Sequence, residues 1–85
     1  MFRVEWTDAA YDDLASAWTS GDSGRRRAIN RAVQTLEARL QADPLAVGES
    51  RDGDYRVVHE RPIGMDVLVD LATRAVTVVR VWDYE

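Results

Sequence analysis

His59 is the only histidine among the 85 residues, and imidazole is the side chain whose ordinary pKa best suits proton transfer near neutral pH. Tyr55, Val57 and His59 are spaced two residues apart, as are the residues on one face of a β-strand. Glu60 and Arg61 follow His59 directly. Two interpretations stay open. Either His59 is a general acid or base, or it is a partly exposed strand residue, because the sequence indicates no second proton-transferring group beside it.

Anion binding is the second chemistry that the sequence offers, because all eleven basic residues are arginines. A guanidinium group is a planar fork of donors that fits carboxylate and phosphate. Arg80 lies between Val79 and Val81, so strict alternation places it opposite both valines and outside the sheet if they face a core. There Arg80 would either bind an anionic ligand or pair with Asp66 or Asp70 of a neighbouring strand.

The distribution of charge restricts the partners. The formal net charge is −4, which disfavours a protein that holds nucleic acid by general electrostatic attraction. Three consecutive arginines, Arg25 to Arg27, nevertheless open a predicted helix, where positive charge opposes the helix dipole. They form either a solvated face or a contact with an acidic partner or with nucleic acid.

Metal and membrane chemistry are not indicated. The chain has no cysteine and a single histidine, which excludes a disulfide framework, a thiolate zinc site and an all-histidine site within one chain, so we expect neither a metal nor a cofactor. No apolar run approaches the roughly 18 residues that span a bilayer. Glutamate and aspartate occur in the N-terminal stretch MFRVEWTDAA, where a signal peptide is apolar. We therefore expect a cytoplasmic protein without membrane contact.

The N-terminal half predicts one strand and two helices. Phe2, Val4 and Trp6 alternate with charged residues, and Thr7 or Asp8 can cap the helix that follows. The first helix ends at the break Ser20-Gly21-Asp22, and the second runs from Ser23 until Asp43-Pro44 stops it. The second helix has an apolar stripe of Ile29, Ala32, Val33, Leu36 and Leu40. We expect the aromatic residues Trp6, Tyr11 and Trp18 to lie in the core.

The C-terminal half predicts only strands. Three valine-rich runs, Tyr55–Glu60, Val67–Leu71 and Ala75–Trp82, are separated by connectors containing Pro62-Gly64 and Thr73-Arg74. The expected fold is one α+β domain over residues 1–85 in the order β-α-α-β-β-β. Its helical hairpin packs on one face of a mainly antiparallel four-stranded sheet, and the other face stays open. Trp82 would lie beside Arg80 on that open face, where it could stack a base or anchor a partner.

This order of elements, with the residues that mark it, resembles the RelE/ParE toxin superfamily of bacterial type II toxin-antitoxin systems, also called plasmid stabilisation proteins. The resemblance covers nearly the whole chain. It implies a small toxin with active residues on its sheet face, neutralised by a cognate antitoxin that wraps the toxin with an amphipathic segment. The marking residues are Val4-Glu5-Trp6-Thr7, Ala9-Ala10, Asp13-Leu14, Leu36-Glu37, Leu40, Asp43-Pro44, Gly48 and Tyr55-Arg56-Val57-Val58.

The resemblance implies two possible targets. Members similar to RelE cut messenger RNA on the ribosome, whereas members similar to ParE inhibit DNA gyrase. The positions comparable to the nuclease site are Arg51, Arg56, Arg80 and Tyr84. Cleavage by attack of a ribose 2′-hydroxyl requires a proton acceptor, a proton donor and positive charge near the phosphorus, so His59 joins these candidates.

Two further residues are expected to contact RNA or a partner, namely Trp82 and Arg61. A ribosome-dependent endoribonuclease is thus one possible activity, without a metal. A function from another class also stays open, because the chain is acidic and lacks lysine. In that alternative the protein keeps the fold as a non-toxic interaction module without catalytic activity.

Overall fold

The computed structural model describes residues 1–84, and Glu85 lies outside the described part. The described chain forms a five-stranded sheet in the order β1-β5-β4-β3-β2, with β1 parallel to β5 and the other neighbours antiparallel. The predicted α+β fold is confirmed, and the strand missed from the sequence is the two-residue β2. The elements are β1 (Arg3–Trp6), α1 (Asp8–Thr19), α2 (Ser23–Ala42), β2 (Glu49–Ser50), β3 (Tyr55–Glu60), β4 (Ile63–Asp70) and β5 (Ala75–Asp83), with a 3₁₀ turn at Pro44–Ala46.

Side-chain caps fix the start of both helices where the sequence predicted them. The Thr7 hydroxyl accepts a hydrogen bond from the Ala10 N–H at 3.0 Å, and the Asp22 carboxylate accepts one from the Arg25 N–H at 2.8 Å. Each cap satisfies a backbone donor that has no partner within the helix, which typically contributes about 1 kcal/mol. Hydrogen bonds between residues close in the chain therefore determine where each helix begins.

One face of the sheet carries the core. The apolar stripe of α2 packs against it, and Ile29, Leu36 and Leu40 are fully buried together with Val58 and Met65 of the sheet. The stripe was read from helical periodicity, so the main packing surface follows directly from the sequence. The opposite face of the sheet carries no helix in the described part of the chain.

The predicted core positions of two aromatic residues are wrong. Tyr11 is 56% exposed and stacks on the half-buried Trp6, with 5.3 Å between ring centroids, while Trp18 is 41% exposed beneath the Arg26 guanidinium. The reason is the position of α1. It lies close against β5, where only the small Ala10 is fully buried, so the large rings of this helix remain at the margin of the core.

A β-bulge overturns the alternation predicted for β5. Val78 pairs with Val67 and Arg80 pairs with Asp66, so Val79 is an extra residue in β5. As a result Val78 and Val81 both reach the core, although strict alternation placed them on opposite faces. The Pro62-Gly64 connector is also shorter than predicted, because β4 already begins at Ile63.

Candidate functional site

Three neighbouring strands bring His59, Gly64 and Trp82 into one row across the sheet. The adjacent row, Val58, Met65 and Val81, is buried against the helices. Because successive side chains of a strand point to opposite faces, the first row lies on the open face. The open face thus receives the only histidine and a tryptophan with a glycine between them.

The Trp82 ring lies directly over Gly64. A Cβ atom at this position would come within 2.7 Å of the ring, closer than real Cβ atoms approach other heavy atoms. A glycine inside a strand often marks such a close approach. Gly64 therefore allows the ring to approach the backbone of β4 closely.

Tyr84 completes the group just after β5. Its backbone N–H donates a hydrogen bond of 2.8 Å to the Pro62 carbonyl oxygen, which places the phenol ring against His59. The two rings stack with centroids 4.2 Å apart and planes at 24°, and the Trp82 ring meets the imidazole edge-on at 6.3 Å. The Arg61 guanidinium lies 5.7 Å from the centre of the Tyr84 ring. We call His59, Arg61, Trp82 and Tyr84 the aromatic cluster.

The aromatic cluster has the parts of a site for a planar or anionic ligand. Neither the imidazole of His59 nor the hydroxyl of Tyr84 forms a hydrogen bond to another residue in the described part of the chain. Both rings are only partly buried, so these polar atoms can reach solvent or a ligand. An imidazole can accept or donate a proton, a phenol can donate one, and Trp82 offers an edge and face for stacking.

Arg80 is held by an acidic residue that the sequence analysis did not nominate. Its Nε and a terminal nitrogen donate to the two carboxylate oxygens of Asp13 at 2.7 and 2.9 Å. The Val81 N–H donates to the same carboxylate at 3.0 Å. β1 pairs with β5 only as far as Val78, and beyond it α1 takes the place of a strand along the β5 edge.

These contacts lower the pKa of Asp13 from 3.8 to about 2, chiefly through the hydrogen bonds from Arg80 and then through the Val81 N–H. The same pair raises the pKa of Arg80. The partners predicted for Arg80 were Asp66 and Asp70. Asp66 does lie opposite Arg80 across the strands, but the ion pair forms with Asp13, 67 residues away in the chain.

The two remaining arginine candidates lie away from the aromatic cluster. Arg56 is in register with the buried Val67, on the helix side of the sheet, and its guanidinium donates to the carbonyl oxygens of Val47 and Gly48 at 3.0 and 3.2 Å. Arg51 follows β2 and pairs with Glu49 at 3.1 Å. The structure thus brings together His59, Arg61, Trp82 and Tyr84. The other three arginine candidates, Arg51, Arg56 and Arg80, bind elsewhere in the chain. Their catalytic roles stay predictions.

Two shallow cavities, each of about 220 Å³, flank the sheet. The first lies where β3 begins and β4 ends. It is lined by the largely exposed side chains of Leu45, Tyr55 and Leu71. The second lies between α1 and β5, and Trp82 forms part of its wall. Within residues 1–84 no helix is long and apolar enough to cross a membrane.

Comparison with known proteins defines the fold. No protein-family model and no curated protein matches the sequence. A chain of the chromosomal ParDE toxin-antitoxin system from P. aeruginosa is 20% identical, with a TM-score of 0.76 over 100% of this chain and 98% of that one. A chain of the RelBE2 toxin-antitoxin complex from Mycobacterium tuberculosis is 20% identical, with a TM-score of 0.77 over 96% and 90%.

The isolated E. coli RelE toxin is 16% identical, with a TM-score of 0.66 over 100% of this chain and 86% of that one. At such low identities the likeness concerns the fold, and it extends over the whole chain. The protein therefore has the RelE/ParE toxin fold, as its resemblance to that superfamily predicted. The fold is shared by the ParDE and RelBE structures, so it does not separate the two targets.

Proposed function

We propose that this protein is the toxin component of a bacterial type II toxin-antitoxin pair and that a cognate antitoxin neutralises it. The observation that carries the proposal is the likeness of the fold to the isolated E. coli RelE toxin, which extends over 100% of this chain and 86% of that one. The marking residues in the sequence support it independently. The proposed targets are cytoplasmic, so we also place the protein in the cytoplasm.

The cavity beside Leu45 supports an antitoxin that binds through an amphipathic segment. Leu45, Tyr55 and Leu71 leave about half of their surfaces exposed although they lie next to one another around this cavity. Contiguous exposed apolar side chains are typical of surfaces that are covered by a partner. We propose that an apolar side chain of the antitoxin segment packs against Leu45 and Leu71.

For the target we propose contact with a protein, DNA gyrase, as the first candidate. A phosphorane-like transition state requires positive charge at the reacting phosphate. Arg51, Arg56 and Arg80 all donate their hydrogen bonds within the chain, and Arg80 is neutralised by Asp13. The open face therefore offers Arg61 as its available cation near His59. A site that binds a protein through aromatic side chains does not require several free cations.

Cleavage of ribosome-bound messenger RNA is the second candidate, and the contact between His59 and Tyr84 favours it. The imidazole can accept the proton of a 2′-hydroxyl while the phenol donates one to the leaving oxygen. Trp82 can stack a base of the same strand. Arg61 would then supply the charge at the phosphate, which makes it the decisive arginine of this mechanism.

Inducible expression in bacteria tests both candidates. Growth, the positions of breaks in messenger RNA and gyrase-linked DNA damage are followed in parallel. Gyrase inhibition predicts DNA damage that persists in Tyr84→Phe, because the ring remains, and that falls in Trp82→Ala. RNA cleavage predicts a loss of about 10²-fold or more in Tyr84→Phe and His59→Gln. It also predicts weaker cutting in Arg61→Ala and a smaller loss in Arg80→Ala, because the Arg80 guanidinium is already bound by Asp13. Tyr55→Phe, an exposed tyrosine on β3, is the matched control.

The outcomes separate the alternatives. Growth arrest with gyrase-linked damage and intact messenger RNA supports the first candidate, and RNA breaks without such damage replace it with the second. Cutting that is unchanged in Arg61→Ala, Arg80→Ala, Tyr84→Phe and His59→Gln removes the nuclease site. Absence of a growth defect refutes both and leaves the non-toxic interaction module. A neighbouring reading frame that encodes a DNA-binding segment with an amphipathic tail favours the toxin.

A further inference from the structure

Helix α2 is positively charged in an acidic protein. It contains five arginines and one glutamate, a formal charge of +4, whereas the rest of the chain carries −8 to give the total of −4. The one acidic side chain, Glu37, is occupied because it accepts a hydrogen bond from the Trp6 indole at 3.0 Å. Positive charge is thus concentrated on a single element.

Nearly all arginines of the protein have partners within the chain. Five of them form ion pairs with carboxylates, and another, Arg56, donates to backbone carbonyl oxygens. Three more, Arg26, Arg61 and Arg74, lie over aromatic rings. Of the eleven arginines, only Arg27 and Arg31 have no such contact with any residue in the described range 1–84.

Arg27 and Arg31 lie next to each other. They are four residues apart on α2, so their side chains emerge from the same face one turn apart, and both are exposed. Asn30, Gln34 and Ala38 extend this exposed face over about 16 Å at 1.5 Å per residue. We call these five residues the α2 stripe. It contains no acidic residue, although exposed helix faces commonly carry both signs.

Helix stability does not explain the α2 stripe. Two like charges four residues apart repel each other and destabilise a helix slightly. Positive charge in the N-terminal half of a helix also gains nothing from the helix dipole. A partner that brings negative charge would remove both costs.

We propose that the α2 stripe binds an acidic segment of a partner protein. Carboxylates one helical turn apart on that segment would match the spacing of Arg27 and Arg31, and each guanidinium fork can bind a carboxylate through two hydrogen bonds. The side-chain amides of Asn30 and Gln34 can bind further polar groups beside them. The inference is independent of toxicity and of the target.

A protein segment fits better than nucleic acid. The neighbouring helix α1 exposes Asp8 and Asp12, and neither forms an ion pair with another residue of the described chain. The chain outside α2 carries a formal charge of −8, which disfavours a long polyanion, whereas a short segment can place its acidic residues on α2 alone. Two free arginines also provide few phosphate contacts.

The test is a titration of the ¹⁵N-labelled full chain in a buffer of low ionic strength. The probe is a synthetic helical peptide with glutamates spaced four residues apart on one face. The same peptide with glutamine in their place and a single-stranded DNA of similar length serve as comparisons. The glutamate peptide is expected to shift the amide signals of Asn30, Arg31 and Gln34. Added salt should weaken the binding.

Two double variants test whether Arg27 and Arg31 bind the peptide. Arg27→Gln/Arg31→Gln removes both free guanidinium groups and should weaken binding of the glutamate peptide by about tenfold or more. Arg3→Gln/Arg51→Gln removes the same charge from exposed arginines that pair with their own chain, and it should change binding by less than about twofold. The melting temperature of the first variant should not fall, because it loses only repulsion.

Three results would overturn the proposal. They are an equal loss of binding in the two double variants, absence of binding by the glutamate peptide, and tighter binding of the DNA at the same amides. The last result would assign the α2 stripe to phosphate. None of these outcomes depends on growth arrest, so they test the stripe separately from the toxin proposal.

Discussion

Replacing Asp13 by asparagine should reveal how strongly α1 is tied to the edge of β5. Asparagine retains an oxygen that can accept the Val81 N–H, but it loses the charge that binds Arg80. A shift of the Asp13 pKa from 3.8 to about 2 corresponds to at most about 2 to 3 kcal/mol of stabilisation by the ionised form. The Asp13 side chain is 18% exposed and Arg80 is largely exposed, so solvent screening reduces the expected loss to about 1 kcal/mol.

The dependence on pH follows from the direction of the shift. The pKa of Asp13 is lower in the folded protein than its ordinary value, so the ionised carboxylate stabilises the fold above about pH 4. This contribution is lost as the pH falls from about 4 towards 2. The difference in unfolding free energy between the native protein and Asp13→Asn should therefore be largest at pH 6 and decrease between about pH 4 and pH 2.

Urea denaturation followed by tryptophan fluorescence measures the difference at several pH values. Asp12→Asn is the matched control, because Asp12 is an exposed neighbour that forms no ion pair with any residue in the described part of the chain. A double-mutant cycle with Arg80→Gln isolates the pair. Equal stability of Asp13→Asn and the native protein at pH 6 would refute the reasoning. So would a difference that persists unchanged at pH 2.5.

Three glycines give further predictions, each measured by urea denaturation. Gly48→Ala should cost about 3 kcal/mol or more, because its φ is 67° and a Cβ would overlap with the Val57 carbonyl. Gly53→Ala, at φ 63° with open space around it, should cost only about 1 kcal/mol, and equal losses would contradict this difference. Gly64→Ala should displace Trp82, cost about 1 to 3 kcal/mol and shift its fluorescence, and an unchanged emission spectrum would contradict the close packing.

Local signals predicted the helices well. Thr7 and Asp22 cap the helices through hydrogen bonds to residues three positions ahead, and the stripe of α2 repeats with the helical period. Such features depend on neighbours in the chain, so the sequence contains all the information that they require. The strand β3 was likewise predicted with its observed ends, Tyr55 and Glu60.

Long-range features were harder to predict. The ion pair between Asp13 and Arg80 joins residues far apart in the chain, and it depends on α1 lying along the edge of β5, which no local pattern indicates. The bulge at Val79 changed the face of Val78 relative to Val81, because one extra residue breaks the alternation of side chains along the strand. Gly64 was predicted to lie in a connector, so its position inside β4, where a glycine often marks the close approach of another group, was not recognised.

The candidate site likewise combines features that were predictable from the sequence with features that were not. His59 and Tyr84 were both nominated from the sequence, but their stacking depends on the strand register and on the hydrogen bond from the Tyr84 N–H to Pro62. Arg56 occupies the position implied by the resemblance, yet its side chain lies on the helix side and binds backbone carbonyl oxygens. Residue type and order therefore predicted candidates, whereas their grouping required the three-dimensional register.

An arginine is available to a phosphate only if its present partner can be displaced. A phosphate approaching Arg80 competes with a carboxylate that accepts two hydrogen bonds from the guanidinium and a third from the Val81 N–H. Displacing Asp13 would leave that N–H without its acceptor and loosen α1 from β5. Arg61 lies over the Tyr84 ring and forms no ion pair with any residue of the described range 1–84, so a phosphate could bind it without breaking one. Any nuclease chemistry on this face should therefore depend more on Arg61 than on Arg80.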